Sequence, residues 1–271
     1  MTARQRVRFG RLWVDVLDFG AAIREVRSLV ARGEGGAIFT PNVDHVVLVE
    51  SHTEFRKAYR QADLSLADGV PLIWTSRMLG KQLPEKLSGS DMLVPIATLA
   101  AEEGWSVYLL GGLPGAAELA AVRLREICNV RIVGIDAGMV SATGTAPGDV
   151  EVLDRIRAAQ PDIVFVALGT PKQEVFIWRA LEQIRPAVAI GVGASLDFLS
   201  GYVTRAPRWI SDAGFEWAYR LVQDPKRLWR RYLVRGPRFV GIVWRTAWMS
   251  KAQRLRSVSA REVIEVAEAH R

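Results

Sequence analysis

Leu66-Ala67-Asp68-Gly69-Val70-Pro71-Leu72 packs a strand end, a turn and a helix start into one short stretch. The apolar run 64–67 reads as the end of a buried strand. Asp68 stands where it stops, Gly69 permits a sharp turn, and Pro71 suits the first turn of a helix. A carboxylate at such an edge faces the crevice in which open α/β sheets hold ligands. The plainer reading of Asp68 is a helix N-cap, a position that favours Asp.

Working outward, the same punctuation recurs. Residues 7–9 and 12–16, joined around Gly10, read as a hairpin, and Asp18 caps a helix reaching about Ala31. A short strand at 37–39 precedes helical patterns through Val49 and over 55–61. Residues 71–79 are helical, 80–89 form a polar loop, and Asp91 opens a helix through Ala101. Beyond it, strands at 107–110, 130–135, 163–168 and 187–191 alternate with helices at 114–127, 149–159 and 172–183. Continuous apolar strands alternating with helices predict an α/β fold, a Rossmann-like open parallel sheet with helices on both faces. A Gly/Ala/Thr-rich loop at 141–148 is the only biased segment, and no repeat is found.

Each strand ends in Gly, Pro or a small polar residue before its helix. That pattern puts Thr40, Asn42, Asp68, Gly111, Gly112, Gly169 and Gln173 on one rim of the sheet. Backbone amides and helix N-termini there favour an anionic ligand such as a diphosphate. No Gly-X-Gly-X-X-Gly follows a strand, no Gly-Lys-Ser/Thr occurs, and neither an Asp-X-Asp clamp nor a Gly-X-Ser-X-Gly elbow is present. These absences argue against a dinucleotide fingerprint, a P-loop, a clamped metal and a serine nucleophile.

The chain has 271 residues, 49% hydrophobic and 24% charged, with net charge +7. One cysteine, Cys128, rules out an internal disulfide and fits a reducing compartment, and His45, His52 and His270 are too scattered to suggest a metal cluster. Neither a signal-peptide pattern nor an apolar run of membrane-spanning length is found, so the expectation is a cytoplasmic chain. The charge is uneven: residues 204–256 hold thirteen Lys/Arg against Asp212, Glu216 and Asp224, a balance of +10 that leaves −3 for the remainder. Five of the nine tryptophans lie there too. The expected division is an α/β catalytic domain over 1–203, a basic Trp-rich helical appendage over 204–256, and a tail over 257–271 read as a short polar helix.

In the appendage Arg220, Arg227 and Arg230 share one helical face. Asp224-Pro225 breaks that face into two short helices, the second closed by Gly236-Pro237. Trp229, Phe239, Trp244 and Trp248 among Arg residues make a basic amphipathic pattern suited to an anionic membrane surface. Deleting everything after Tyr202 is expected to leave a folded body with little activity.

Six motifs in order, Thr40-Pro41-Asn42-Val43-Asp44-His45, Ala67-Asp68-Gly69-Val70-Pro71, Gly89-Ser90-Asp91, Leu110-Gly111-Gly112, Ala167-Leu168-Gly169-Thr170-Pro171-Lys172-Gln173-Glu174 and Gly191-Val192-Gly193-Ala194, resemble those of the WecG/TagA/CpsF glycosyltransferases. The similarity runs from about Phe9 to Leu233. The resemblance implies an inverting, metal-independent transfer of a sugar from a UDP-sugar donor to a polyprenyl-diphosphate-linked saccharide, without a cofactor, at the inner face of the cell membrane. It implies Asp68 as general base, Thr40, Asn42 and Gln173 lining the pocket, and Asp197 near the ribose. Members often carry Gly-Tyr-Phe where this chain has Gly138-Met139-Val140, so Met139 covers the uracil in place of an aromatic ring. Arg220, Arg227 and Arg230 are the expected partners of the leaving diphosphate, brought over the rim by the appendage, which members also carry. Two other readings compete: a nucleotide-binding protein whose basic tail holds single-stranded nucleic acid, and a nucleotide-sugar hydrolase. The sugar, the acceptor and the choice between monomer and homo-oligomer are not legible.

Overall fold

The computed structural model describes residues 4–137, 140–141, 147–207, 209–210, 215–229, 233, 235–249 and 251–258. The chain opens with a hairpin, β1 (Arg4–Phe9) and β2 (Leu12–Asp15), turned at Gly10. Asp18 accepts the amide of Ala21 at 2.7 Å and starts α1 (Phe19–Ala31). Then follow β3 (Gly36–Phe39), α2 (Val43–Ser51), α3 (Thr53–Arg60), β4 (Leu64–Ser65), α4 (Val70–Met78) and α5 (Gly89–Glu102). The regular part is β5 (Ser106–Gly111), α6 (Ala116–Cys128), β6 (Arg131–Asp136), α7 (Pro147–Ala159), β7 (Ile163–Ala167), α8 (Lys172–Ile184), β8 (Val188–Gly191) and α9 (Ser195–Ser200). The basic segment supplies α10 (Glu216–Gln223), α11 (Pro225–Trp229), α12 (Gly236–Ala247), α13 (Lys251–Arg254) and β9 (Leu255–Val258).

Six strands form the expected parallel sheet, in the order β4-β3-β8-β7-β5-β6. One face carries α2, α3, α7 and α8 through residues such as Val46, Phe55, Ile156 and Phe176. The other carries α1, α5, α6 and α9 through Val26, Ile96, Leu124 and Leu196. From β5 the chain passes through α6 to β6, and from β7 through α8 to β8, on the opposite side. These neighbouring strands send their chains apart, and the switch between them, at their C-terminal ends, is the usual ligand position in such sheets.

The basic segment departs from expectation at three places. Gly236-Pro237 opens α12 instead of closing the preceding helix, because proline in the first turn loses no intrahelical bond. Phe239, expected at a membrane, is buried with Ile242 and Val243 in the core that holds Val7, Phe9 and Val46. Ser257 and Val258, expected in a polar helix, lie in β9, which pairs antiparallel with β1 from Arg4↔Val258 to Val7↔Leu255. Without that partner β1 would be an edge strand with unpaired amides and carbonyls. Residues 259–271 lie outside the described residues.

The Gly10 turn locks these parts together. Its amide donates to Thr246 Oγ1 of α12 at 2.9 Å, and the Arg11 amide donates to Glu50 Oε1 of α2 at 3.0 Å. Arg245 of α12 pairs with the same Glu50 at 2.8 Å. At the far edge the fully buried Asp15 accepts Arg6 Nε at 2.7 Å and is ion-paired with Arg4 at 2.6 Å, and its second oxygen takes the Ser65 amide at 2.8 Å. A side chain thus satisfies an outer-edge amide of β4.

Candidate functional site

All six strands run the same way, so their C-terminal ends share one edge. Thr40 follows β3, Asp68 follows β4, Gly111 and Gly112 end β5, Gly169 follows β7 and Gly193 follows β8. Hydrogen bonds tie these loops to one another. The Asp68 amide donates to Pro41 O at 2.8 Å, and the Gly112 amide to Ala167 O at 2.9 Å. Thr40 Oγ1 reaches Gly191 O at 3.4 Å, while Gln173 Oε1 accepts the Gly193 amide at 3.0 Å. Asp197 Oδ1, from α9, accepts the Leu113 amide at 2.7 Å beside the Gly111-Gly112 turn.

Gly111 is obligatory there, since a Cβ would stand 2.6 Å from Ala167 O in the neighbouring strand's exit, at φ +94°. Gly169 and Gly193 also have positive φ, but a Cβ on either would meet nothing within 4 Å. Among the described residues, then, the rim is tightly packed at Gly111 and leaves space over Gly169 and Gly193.

The candidates separate under this geometry. Asp68 is half-buried and is not the helix cap: Gly69, at φ 122°, holds the N-cap position of α4 with no side-chain cap bond. Asn42 does cap α2, accepting the Asp44 amide at 3.0 Å. Thr40 is buried and donates across the sheet instead of capping. Gln173 is only 2% exposed, which removes its reading as a solvated side chain. Met139 and Arg230 lie outside the described residues. Arg220 and Arg227 fall in α10 and α11, and their side chains lie outside the described part.

Two other arginines of the basic segment reach the rim, and sequence reasoning missed both. Arg205 binds Asp91 at 2.6 Å, at the start of α5 beside the Ser88 cap. Burial pushes the Asp91 carboxyl up, but the Ser88 and Arg205 hydrogen bonds and the charges of Arg205 and Lys86 hold it below the usual range. Arg235 binds the buried Asp44 at 3.1 Å, two residues beyond Asn42. No periodicity pairs either arginine with its acid, since each pair joins a rim motif to a base more than a hundred positions away.

A buried polar group was missed as well. His45, Tyr59, Thr170 and Glu174 meet behind the rim, joined by short contacts from His45 to Tyr59 and to Thr170. Burial, then the charges of Glu174 and Asp68, push the Tyr59 hydroxyl well above its ordinary value. Among the described residues, no three His, Cys, Asp or Glu side chains come together as metal ligands would.

A half-buried carboxylate on the rim and the chain divergence at the β5/β7 switch mark this edge of the sheet as the candidate site. The family model of the glycosyl transferase WecG/TagA/CpsF family matches residues 7–253. The chain belongs to the WecG/TagA/CpsF glycosyltransferase family. It is therefore a glycosyltransferase. In this WecG/TagA/CpsF chain the matched region runs from β1 into α13, so it takes in the hairpin, the sheet and the docked α12 together. Among the described residues, no helix is long and apolar enough to cross a membrane.

Proposed function

We propose that this glycosyltransferase moves a sugar from a UDP-sugar to a polyprenyl-diphosphate-linked saccharide, inverting the anomeric centre without a metal, at the inner face of the cell membrane. The observation that carries the reading is Asp68: a half-buried carboxylate on the open rim, released from helix capping by Gly69. In a single in-line displacement the acceptor hydroxyl attacks C1 while Asp68 takes its proton, and the C1–O bond to the diphosphate breaks on the opposite side. Gly111, Gly112, Gly169 and Gly193 give the diphosphate and ribose backbone to lie against, with Thr40, Asn42, Gln173 and Asp197 around them. The developing diphosphate charge is met by arginines of the basic segment, Arg220, Arg227 and Arg230. The ion pairs of Arg205 and Arg235 with rim acids support that arrangement, because they tie both flanks of the segment to the site.

The outer face of α12 supports the membrane part of the proposal. Val240, Trp244 and Trp248 are 68%, 65% and 77% exposed, the two indoles lie 5.6 Å apart, and Arg238 and Arg245 flank them. Each basic side chain near an anionic surface adds roughly 1 kcal/mol. Flotation with anionic vesicles at low salt, lost at high salt and in Trp244→Ala/Trp248→Ala, is the expected result. Flotation with neither lipid nor salt dependence removes the membrane surface as a partner, and protection of the segment by RNA instead supports a nucleic-acid role.

The decisive test is product formation from a panel of UDP-sugars with and without a polyprenyl-diphosphate saccharide. Asp68→Asn should cut turnover by about 10²–10⁴ while leaving the fold intact. Near-normal turnover in that variant takes Asp68 out of the reaction. Release of free sugar with no lipid product favours a hydrolase.

A further inference from the structure

His45 is the least expected residue behind the rim. It lies in the first turn of α2, only 2% exposed, between the rings of Phe55 and Tyr59. Both ring nitrogens are engaged. Nδ1 lies 2.6 Å from the Tyr59 hydroxyl, and Nε2 lies 2.6 Å from Thr170 Oγ1. Thr170 stands in the turn after Gly169, and its Oγ1 is 3.5 Å from Glu174 Oε1. The same carboxylate oxygen takes the Gln173 amide at 2.7 Å, and the other end of that amide accepts the Gly193 N–H at 3.0 Å. One polar chain thus runs from α3 through α2 and the β7–α8 turn to the β8–α9 turn. Hydrogen bonds between largely buried polar groups fix their relative geometry.

Chemistry sets the direction of its hydrogens. A carboxylate only accepts, so Thr170 donates to Glu174. Each His45 ring nitrogen meets one hydroxyl, that of Tyr59 or that of Thr170. A backbone N–H only donates, so Gln173 is held with its oxygen toward Gly193 and its nitrogen toward Glu174.

We propose that His45 is a positioning residue for the nucleotide side of the site: through Thr170 and Glu174 it holds the Gly169-Thr170 turn and the Gln173 amide, and with them Gly193, in the orientation that accepts the diphosphate. Among the described residues, a Cβ on the glycine of either turn would meet nothing within 4 Å. Their backbones are set from one side by this chain. Removing one link frees the Gln173 amide to rotate, and the Gly193 amide loses a fixed partner. The inference rests on the UDP-sugar reading.

The test uses the full chain, UDP as the calorimetric probe, and donor kinetics. Thr170→Val keeps the shape and breaks the chain, whereas Thr170→Ser keeps the hydroxyl. Thr170→Val and His45→Gln should weaken UDP binding and raise donor KM about tenfold, the effect of one lost hydrogen bond. Acceptor KM should not move, and Thr170→Ser should restore UDP affinity. Wild-type protein that fails to bind UDP overturns the donor reading itself. Wild-type protein that binds UDP, with Thr170→Val binding equally well, overturns the positioning role of His45. The valine and serine pair decides the matter even if His45→Gln does not fold.

Discussion

Gly10→Ala tests how far the basic segment is part of the fold. Gly10 sits at φ +61°, where an L side chain is strained by about 1–2 kcal/mol. Its new Cβ would run into Glu50 Oε1 and come within 2.6 Å of Ile242 Cγ2. Glu50 can swing aside only by giving up the Arg11 amide and Arg245. Ile242 is buried in the core, so α12 must shift as a body, an overpacking cost of about 1–3 kcal/mol. The two effects give roughly 2–5 kcal/mol, read as a lower urea midpoint. Limited proteolysis should then cut the segment after residue 203 sooner than in wild type. Ile242→Ala removes Cγ2, so the double variant should be more stable than the sum of the single losses predicts, by on the order of 1 kcal/mol. A midpoint unchanged by Gly10→Ala, or a strictly additive cycle, would show that the hairpin tip and α12 do not bear on one another.

Two further outcomes follow from the same packing. Truncation after Tyr202 should give an insoluble or unfolded chain, not the folded body expected from composition. Phe239, Ile242 and Val243 bury about 1.5–3 kcal/mol each, of the order of a domain's whole stability together, and a soluble, cooperatively melting truncation would refute this. Burial raises the Asp63 carboxyl above its ordinary value, against the Ala37 amide bond and the charges of Arg32, Arg4 and Arg185. The fold therefore prefers this group protonated, and its charge costs stability at neutral pH. Relative to Asp63→Asn, wild type should gain stability as pH falls through the raised folded value, with no more gain below the ordinary carboxylate range. A difference that moves the other way on acidification rejects the assignment.

The parallel sheet was legible because its signals are local: apolar strands, glycine-closed turns, and helices capped by residues such as Asp18. The common rim was legible for the same reason, since strands that run one way end on one side. Thr40, Asn42, Asp68 and Gln173 came from ordered motifs, and residue type alone favoured a bland role for each. Tertiary structure decided whether each one fills its bland role. Asp68 is not a cap, because Gly69 takes that position, whereas Asn42 is one. Gln173 is buried because β8 closes over it.

What only the fold could decide is whatever depends on contacts between distant residues. Arg235 meets Asp44 across 191 positions, and Thr246 meets Gly10 across 236. Composition marks the basic segment as unlike the body, yet half of each amphipathic helix can face inward, and sequence does not say which surface is already taken. Phe239 turns into the core while Trp244 stays outside, because the β1–β2 hairpin offers one apolar face and α12 has one stripe to fill it. The periodicity of the chain determined the layers and their order. The choice of neighbour, set by which buried group was left to satisfy, belonged to the tertiary structure.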